Sequence, residues 1–288
     1  MVSKITIQPG VIEVSGEDAK SFLNALVSNE IENVALSQSI PSLLLDPAGK
    51  TMSTFWLYRS KENVYLLVCQ KSNVETLMSM LKKFCIRTKA EINDVSNDYS
   101  AVVCQDLENS MLLEEHHCNS EGANLYLVNR QEENQHQLYD DFRISNGAVS
   151  LEHDLLDGSI AQEASLDDRA ISFNKGCFLG QELVCRIDSR SASTPFSFFS
   201  ATLDAVQGLS YNDEITSGEE VIGNITSVIS EEKIGEKFFG GKTAIVKLSR
   251  KGVAALATSG SIGQLEILSD EKVVGVSNLE KVNGYFSC

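Results

Sequence analysis

At 288 residues the chain is long enough for about two domains, and its 42% hydrophobic and 22% charged content is that of a globular protein with a real core. Forty acidic against 24 basic residues leave a net charge of -16, which excludes a broad surface for gripping nucleic acid or anionic membrane, since both need clustered Lys and Arg. The seven cysteines (69, 85, 104, 118, 177, 185 and 288) are odd in number and contain no CxxC pair, which argues for reduced thiols and against a disulfide framework or zinc knuckle.

In chain order, the opening MVSKITIQPGVIEV has neither a cationic-then-apolar signal pattern nor an Arg-rich presequence, and predicts a cytoplasmic protein. Nowhere does an apolar run approach the roughly 20 residues needed to cross a bilayer. Ser15 and Asp18 stand at capping-box spacing before Ala19, Phe22, Leu23, Leu26 and Val27, which recur at the helical period. SLLLDPAGKTMSTFWLYRS reads as a β-hairpin turning at residues 47–49, and VYLLVCQ as a buried strand. Ser72 and Glu75 repeat the capping-box spacing ahead of an apolar stripe, Val74, Leu77, Met78, Leu81, Phe84 and Cys85, so Cys69 and Cys85 both have packing roles. EINDV, YSAVVCQ and ANLYLVN add strands, and QEENQHQLYDDF predicts a helix. Hairpins mixed with helices, without repeated βα units, predict an α+β fold.

Beyond about residue 190 the texture changes. SRSAST reads as a polar linker, and FSFFSATL, EEVIGNITSVIS, KTAIVKLSR, GVAALA, GQLEIL and KVVGVS as short strands of a small antiparallel barrel or sandwich. The predicted organisation is an α+β domain over 1–190, of two interleaved subdomains, and a β-barrel domain over 196–288.

GxGxxG after a strand, GxxxxGK[ST] and GxSxG are all missing. The four histidines (116, 117, 136 and 153) have no metal-ligand spacing, and the paired His116 and His117 read as a solvated loop, so no metal site is predicted. Residues 175–186, KGCFLGQELVCR, stand out. Gly176 and Gly180 weaken regular structure, which suits a displayed side chain better than a packed one. Lys175 nearby and a helix start at Gly180, with Leu183 and Ile187 facing inward, both favour the thiolate of Cys177. A packed thiol remains the other reading of Cys177, and the better one of Cys185.

This stretch, with Arg186, resembles the signature K-G-C-Y/F-x-G-Q-E-x-x-x-R of the YgfZ family, folate-binding proteins linked to iron–sulfur cluster maintenance and related to the glycine-cleavage T-protein. GEDAKSFLNALVSNEI, LLLDPAGK, FRISNG, EASLDDRAISFNKGC and GNITS resemble further family segments in the same order, so the resemblance covers most of the chain. A Pro-x-Glu usual in the lead-in is here Ala161-Gln162-Glu163.

The resemblance implies a T-protein-like fold with tetrahydrofolate, or a derivative, in a pocket between subdomains and Cys177 at its mouth. It implies a reactive role for Cys177 with Lys175, and ligand-binding roles for Ala48, Gly49, Asn124, Arg143, Gly176, Gln181, Glu182 and Arg186. Arg143 has an equally good reading as an ion pair with Asp140 or Asp141. The T-protein's aminomethyl transfer depends on carboxylates that would align with Ser53 and Thr54, whose hydroxyls neither take up a proton nor hold charge near neutral pH. The resemblance therefore implies a folate-dependent accessory protein for iron–sulfur enzymes, with iron–sulfur clients or assembly factors as partners and an indirect link to tRNA modification. Aminomethyl transfer is the alternative, and a folate module with a structural Cys177 is a third.

Overall fold

A computed structural model describes residues 4–104, 107, 110–116, 123–156, 158–190, 193–230, 243–259, 266–269, 272–284 and 286–287. Its first sheet is antiparallel, in the order β3 (Ser39–Leu45), β4 (Thr51–Lys61), β5 (Val64–Cys69), β2 (Gly10–Ser15), β6 (Glu91–Asp94). The runs FWLY in β4 and VYLLVC in β5 are apolar without alternation because both faces of this sheet are covered. Phe55, Leu57, Leu67 and Cys69 pack under α1 (Ala19–Leu26) and α2 (Val74–Phe84). Trp56, Tyr58, Leu66 and Val68 point the other way, into a central core.

A second antiparallel sheet, β1 (Ile5–Ile7), β7 (Tyr99–Cys104), β9 (Ala123–Asn129), β8 (Met111–His116), turns Ile5, Ala101, Val103, Leu125 and Leu127 into that same core. After α3 (His136–Ser145), a 3-10 turn (Ala161–Ala164), α4 (Asp167–Ala170) and α5 (Gln181–Arg190), the chain closes a six-stranded antiparallel barrel. Its strands are β10 (Phe196–Leu203), β11 (Glu214–Ser217), β12 (Glu220–Val228), β13 (Ala244–Ser249), β14 (Glu266–Ser269) and β15 (Lys272–Lys281). The chain then returns to the centre, where Phe286 stacks on Trp56 at 4.8 Å between ring centroids. The predicted α+β class with a terminal barrel is what the chain adopts.

Several local expectations differ from the structure. Neither capping box forms: Ser15 lies in β2, the Asp18 carboxylate accepts the Lys89 backbone N–H, and the Ser72 hydroxyl donates to Glu152. The helix expected from residue 131 starts at His136, because Gln135 is pinned to β1 by two hydrogen bonds with the backbone of Thr6. His116 ends β8, paired with Ala123, instead of lying in a loop, while His117, Cys118 and Cys288 fall outside the described residues. GVAALA belongs to α6 (Arg250–Ser259), not to a strand. A Cβ on Gly252 would lie 2.8 Å from the Ile222 carbonyl oxygen, so this helix needs a bare backbone there to lie against β12.

One buried polar node ties the barrel to the rest. Asp154 is 1% exposed and accepts four hydrogen bonds: from Arg143 Nη1 (3.0 Å), the Ser150 N–H (2.7 Å), Thr226 Oγ1 (2.5 Å) and Ser227 Oγ (2.7 Å). Thr226 and Ser227 are barrel residues on β12, whereas Arg143 is on α3. Asp141, one α3 turn from Gln137, adds a second tie by accepting the N–H (2.8 Å) and hydroxyl (2.7 Å) of Ser230. Removing one partner of such a pair leaves an uncompensated buried charge. Asp154→Ala is expected to cost about 3 to 5 kcal/mol in urea unfolding, and the double variant with Arg143→Ala much less than the sum of the singles.

Candidate functional site

The 175–186 stretch lies against the hairpin turn between β3 and β4. Asp46 shapes that turn: its side chain accepts the Lys50 N–H and its carbonyl accepts the Gly49 N–H. Gly49 (φ +83°) and Gly180 (φ +77°) both adopt the left-handed backbone that favours glycine. They also touch: a Cβ on Gly180 would lie 2.3 Å from the Asp46 carbonyl, and one on Gly49 would lie 2.6 Å from the Leu183 Cβ. Gly180 is thus where the loop and the hairpin pack backbone on backbone. Gly176 has open space around it and no positive φ, so its glycine is not sterically required. Ala48 forms the exposed tip of the turn.

The Lys175 side chain runs to the end of α1. Its Nζ donates three hydrogen bonds, each 2.8 Å, to the carbonyls of Asn24, Val27 and Asn29, closing the end of α1 and the segment after it. Burial lowers its pKa to about 8, against the opposing pull of Glu30 and Glu32, so it is still an ammonium at neutral pH. Its protons are committed to carbonyls, and through them Lys175 fixes the loop that carries Cys177. Phe178 is buried, with the Lys175 ammonium 5.5 Å from its ring centroid. Gln181 accepts the Phe178 N–H through its side chain. Glu182 and Arg186 form an exposed i,i+4 pair at 3.3 Å on α5, worth a few tenths of a kcal/mol. Val184, not Leu183 or Ile187, is the fully buried residue of this helix.

Cys177 itself is exposed and Cys185 half-buried. Burial raises the pKa of Cys185, with the charges of Asp188 and then Cys177 adding to the shift.

Two expected ligand residues lie elsewhere. Arg143 is 2% exposed, and its guanidinium bonds Asp140, Asp154, the Ala148 carbonyl and Ser227, so it is a buried strut and not a pocket cation. The ion pair with Asp140 forms, between a buried Arg143 and a partly exposed Asp140 instead of wholly at the surface. Asn124 shares a β9 face with Tyr126, whose hydroxyl it contacts, while Leu125 and Leu127 on the opposite face line the central core. It is not brought to the hairpin.

Sequence reasoning did not find the row of polar groups on β4. Thr51 and Thr54 lie opposite Leu45 and Leu43, on the face that also carries Trp56. The hydroxyls of Thr51 and Thr54 and the indole N–H of Trp56 are buried without a hydrogen-bond partner among the described residues. Ser53 points away and donates to Asn73. A cleft of about 460 Å³ opens beside Thr51, between Asn73 and Leu155. A second, of about 590 Å³, lies between α4–α5 and the barrel. Only the alternation within TMSTFW hinted at the first, and nothing in the sequence at the second.

This three-part fold with a terminal barrel defines a T-protein-like class, and comparison with known proteins agrees. The GCVT N-terminal domain family matches residues 8–115. Glycine cleavage system aminomethyltransferase T from Bartonella henselae superimposes over 98% of this chain and 87% of its own, with TM-score 0.74 and 15% identity. A mitochondrial iron-sulfur cluster assembly factor, the IBA57 homolog of Mycosarcoma maydis, is 26% identical over 231 residues, 67% of this chain and 56% of that protein. The chain thus spans little more than half the length of that relative. Its fold is that of the glycine-cleavage T-protein.

Replacing Lys175 by Met leaves three carbonyls without their shared donor and is expected to cost about 1 to 3 kcal/mol in denaturant unfolding. Lys175→Arg is expected not to restore it, because a planar fork does not fit a three-carbonyl cradle built for a point charge. Full recovery by Arg would overturn the cradle.

Proposed function

We propose that this protein binds a reduced folate and serves the assembly or repair of iron–sulfur clusters, with Cys177 as its reactive thiol. The observation that carries this is the division of tasks in the 175–186 stretch. Lys175, Phe178, Gly180 and Gln181 each hold the loop in place, and the exposed Cys177 is left with no packing task. A buried free cysteine behaves as a small inert hydrophobe, whereas an exposed one is available as a nucleophile or metal ligand. The Mycosarcoma relative, an iron-sulfur cluster assembly factor, supports the same direction.

Folate binding is supported by the T-protein-like fold and by the unpaired groups on β4. Burying Thr51, Thr54 and Trp56 without partners is costly, and a pterin ring, ringed by donors and acceptors, matches both the hydroxyls and the indole N–H. These residues fit the group and would hold its ring, with Gly49 and Gly180 setting the adjacent hairpin. When bound, a reduced folate supplies a carrier of one-carbon units on its ring nitrogens. The chain's own part is to orient that ring and shield it from water.

Aminomethyl transfer is disfavoured: hydroxyls, one of them engaged with Asn73, stand where a carboxylate is needed. The clients are then iron–sulfur enzymes, including those that modify tRNA, reached through protein contacts, since a net charge of -16 does not suit direct grip on tRNA. A cytoplasmic setting belongs to this proposal; the Mycosarcoma relative is described as mitochondrial.

Tetrahydrofolate titrated against the fluorescence of Trp56, the only tryptophan, is expected to saturate with a Kd near micromolar, about 8 kcal/mol, and Thr54→Val to weaken it severalfold. Absence of saturable binding below millimolar ligand would remove folate from the reading. Cys177→Ser is expected to bind folate like the parent protein yet fail to restore iron–sulfur enzyme activity in cells lacking it. Full restoration by the serine variant would make Cys177 structural.

A further inference from the structure

We infer that the segment after β15 is a displaceable plug: Phe286 stacks on Trp56 in the place of the ligand's flat ring, and the ligand enters by pushing that side chain aside. This rests on the folate reading of β4 and adds to it how the ring gains entry. After Lys281 the chain leaves the barrel and returns to the first sheet, where the Phe286 ring lies 4.8 Å from the Trp56 ring, with 24° between the planes. That separation is within the range where aromatic rings pair, and it covers the indole with a ring from the chain's own backbone. Phe286 and Trp56 are each 1% exposed, so no other ring reaches the stacked face of Trp56 while Phe286 lies on it.

A phenyl ring is a poor permanent filling for this place, because it carries neither donor nor acceptor. The Thr51 and Thr54 hydroxyls and the Trp56 indole N–H, on one face of β4, are buried without a partner among the described residues, as is the hydroxyl of Ser287, next to Phe286 in the chain. Each such group costs free energy, and a core shaped only for packing does not keep four of them. The attachment of the ring is also slight. Phe286 meets Val149 in an isolated parallel bridge outside the sheets, and the Ser287 N–H donates to the Val149 carbonyl at 2.9 Å. Upstream the segment is held closer. The Val282 N–H donates to the Phe198 carbonyl, and a Cβ on Gly284 (φ +75°) would lie 2.4 Å from the Ser165 carbonyl oxygen. Gly284 is therefore a fixed pivot, beyond which Phe286 and Ser287 leave Trp56 as a local opening, with β15 and the barrel undisturbed. Stacking and burial of Phe286 favour the closed form without ligand. A ring that both stacks and pairs the hydroxyls has the surplus affinity to displace it.

The apparent affinity of a ligand that needs an open form is reduced by the fraction of molecules that are open, so removing the plug raises it. Calorimetric titration of the full chain with tetrahydrofolate is expected to show about tenfold tighter binding to Phe286→Ala than to the parent, for an open form of about a tenth of the molecules. Gly284→Ala, which strains the pivot and leaves both rings in place, is expected to bind severalfold tighter. Hydrogen exchange of the parent chain gives a readout that needs no variant. With tetrahydrofolate bound, the peptide containing Ser287 is expected to exchange faster, because the hydrogen bond to Val149 opens. Equal or weaker binding by folded Phe286→Ala and Gly284→Ala, or unchanged or slower exchange at Ser287 on binding, overturns the plug and leaves the folate reading standing. No saturable binding to any of the three proteins removes the folate reading itself, and the plug falls with it.

Discussion

A single buried carboxylate, Asp154, sets the relation between the barrel and the two sheets. Its four donors come from three places: α3, its own turn at Ser150, and, 72 and 73 residues on, the β12 pair Thr226-Ser227. A carboxylate in a dry interior tolerates burial only when each oxygen is fully bonded, so these segments hold one arrangement or lose the node altogether. The central core draws Trp56, Leu66, Leu125 and Phe198 from all three β units. The hairpin and the 175–186 loop sit on that frame, and the geometry at Gly49 and Gly180 depends on β4 being held from behind.

Several residues with the look of chemistry serve this frame instead. Arg143 and the Thr-Ser pair of GNITS meet at Asp154. Glu163, the part of the lead-in shared with the resembling family, is buried and has its pKa raised by that burial, while the Ile160 and Phe196 N–H groups it accepts pull the other way. It joins the 3-10 turn to the first barrel strand. What is left for chemistry is narrower than the motifs suggested: an exposed thiol on an anchored loop, and a row of unpaired polar groups on β4.

The architecture was legible because it is written in periodicity. The apolar runs of β4 and β5 read as a hairpin strand and a buried strand, and the regular short strands after residue 196 as a barrel or sandwich. The short elements β1, β2, β8 and β11 escaped notice because three to six residues carry little pattern. GVAALA misled because an apolar run of that length fits strand and helix equally, and the contact of Gly252 with β12 decides it. The site was legible in position but not in direction. Lys175 is two residues from Cys177, yet its side chain runs inward to α1, and Asp140 lies within reach of Arg143 without revealing that Arg143 belongs to the interior. Spacing along a chain says what is near; it does not say which way a side chain turns when three carbonyls compete for its charge.

The stacking of Phe286 on Trp56 carries a consequence for how the molecule is made. The two rings lie about 230 residues apart in the chain, and loops of that size close slowly because their entropy is lost before any contact repays it. While the ribosome is still synthesising the barrel, the inner face of the first sheet, with its tryptophan and two unpaired threonine hydroxyls, has no lid. A nascent chain of this kind spends most of its synthesis with a wet half-core, and is the species that a chaperone would meet.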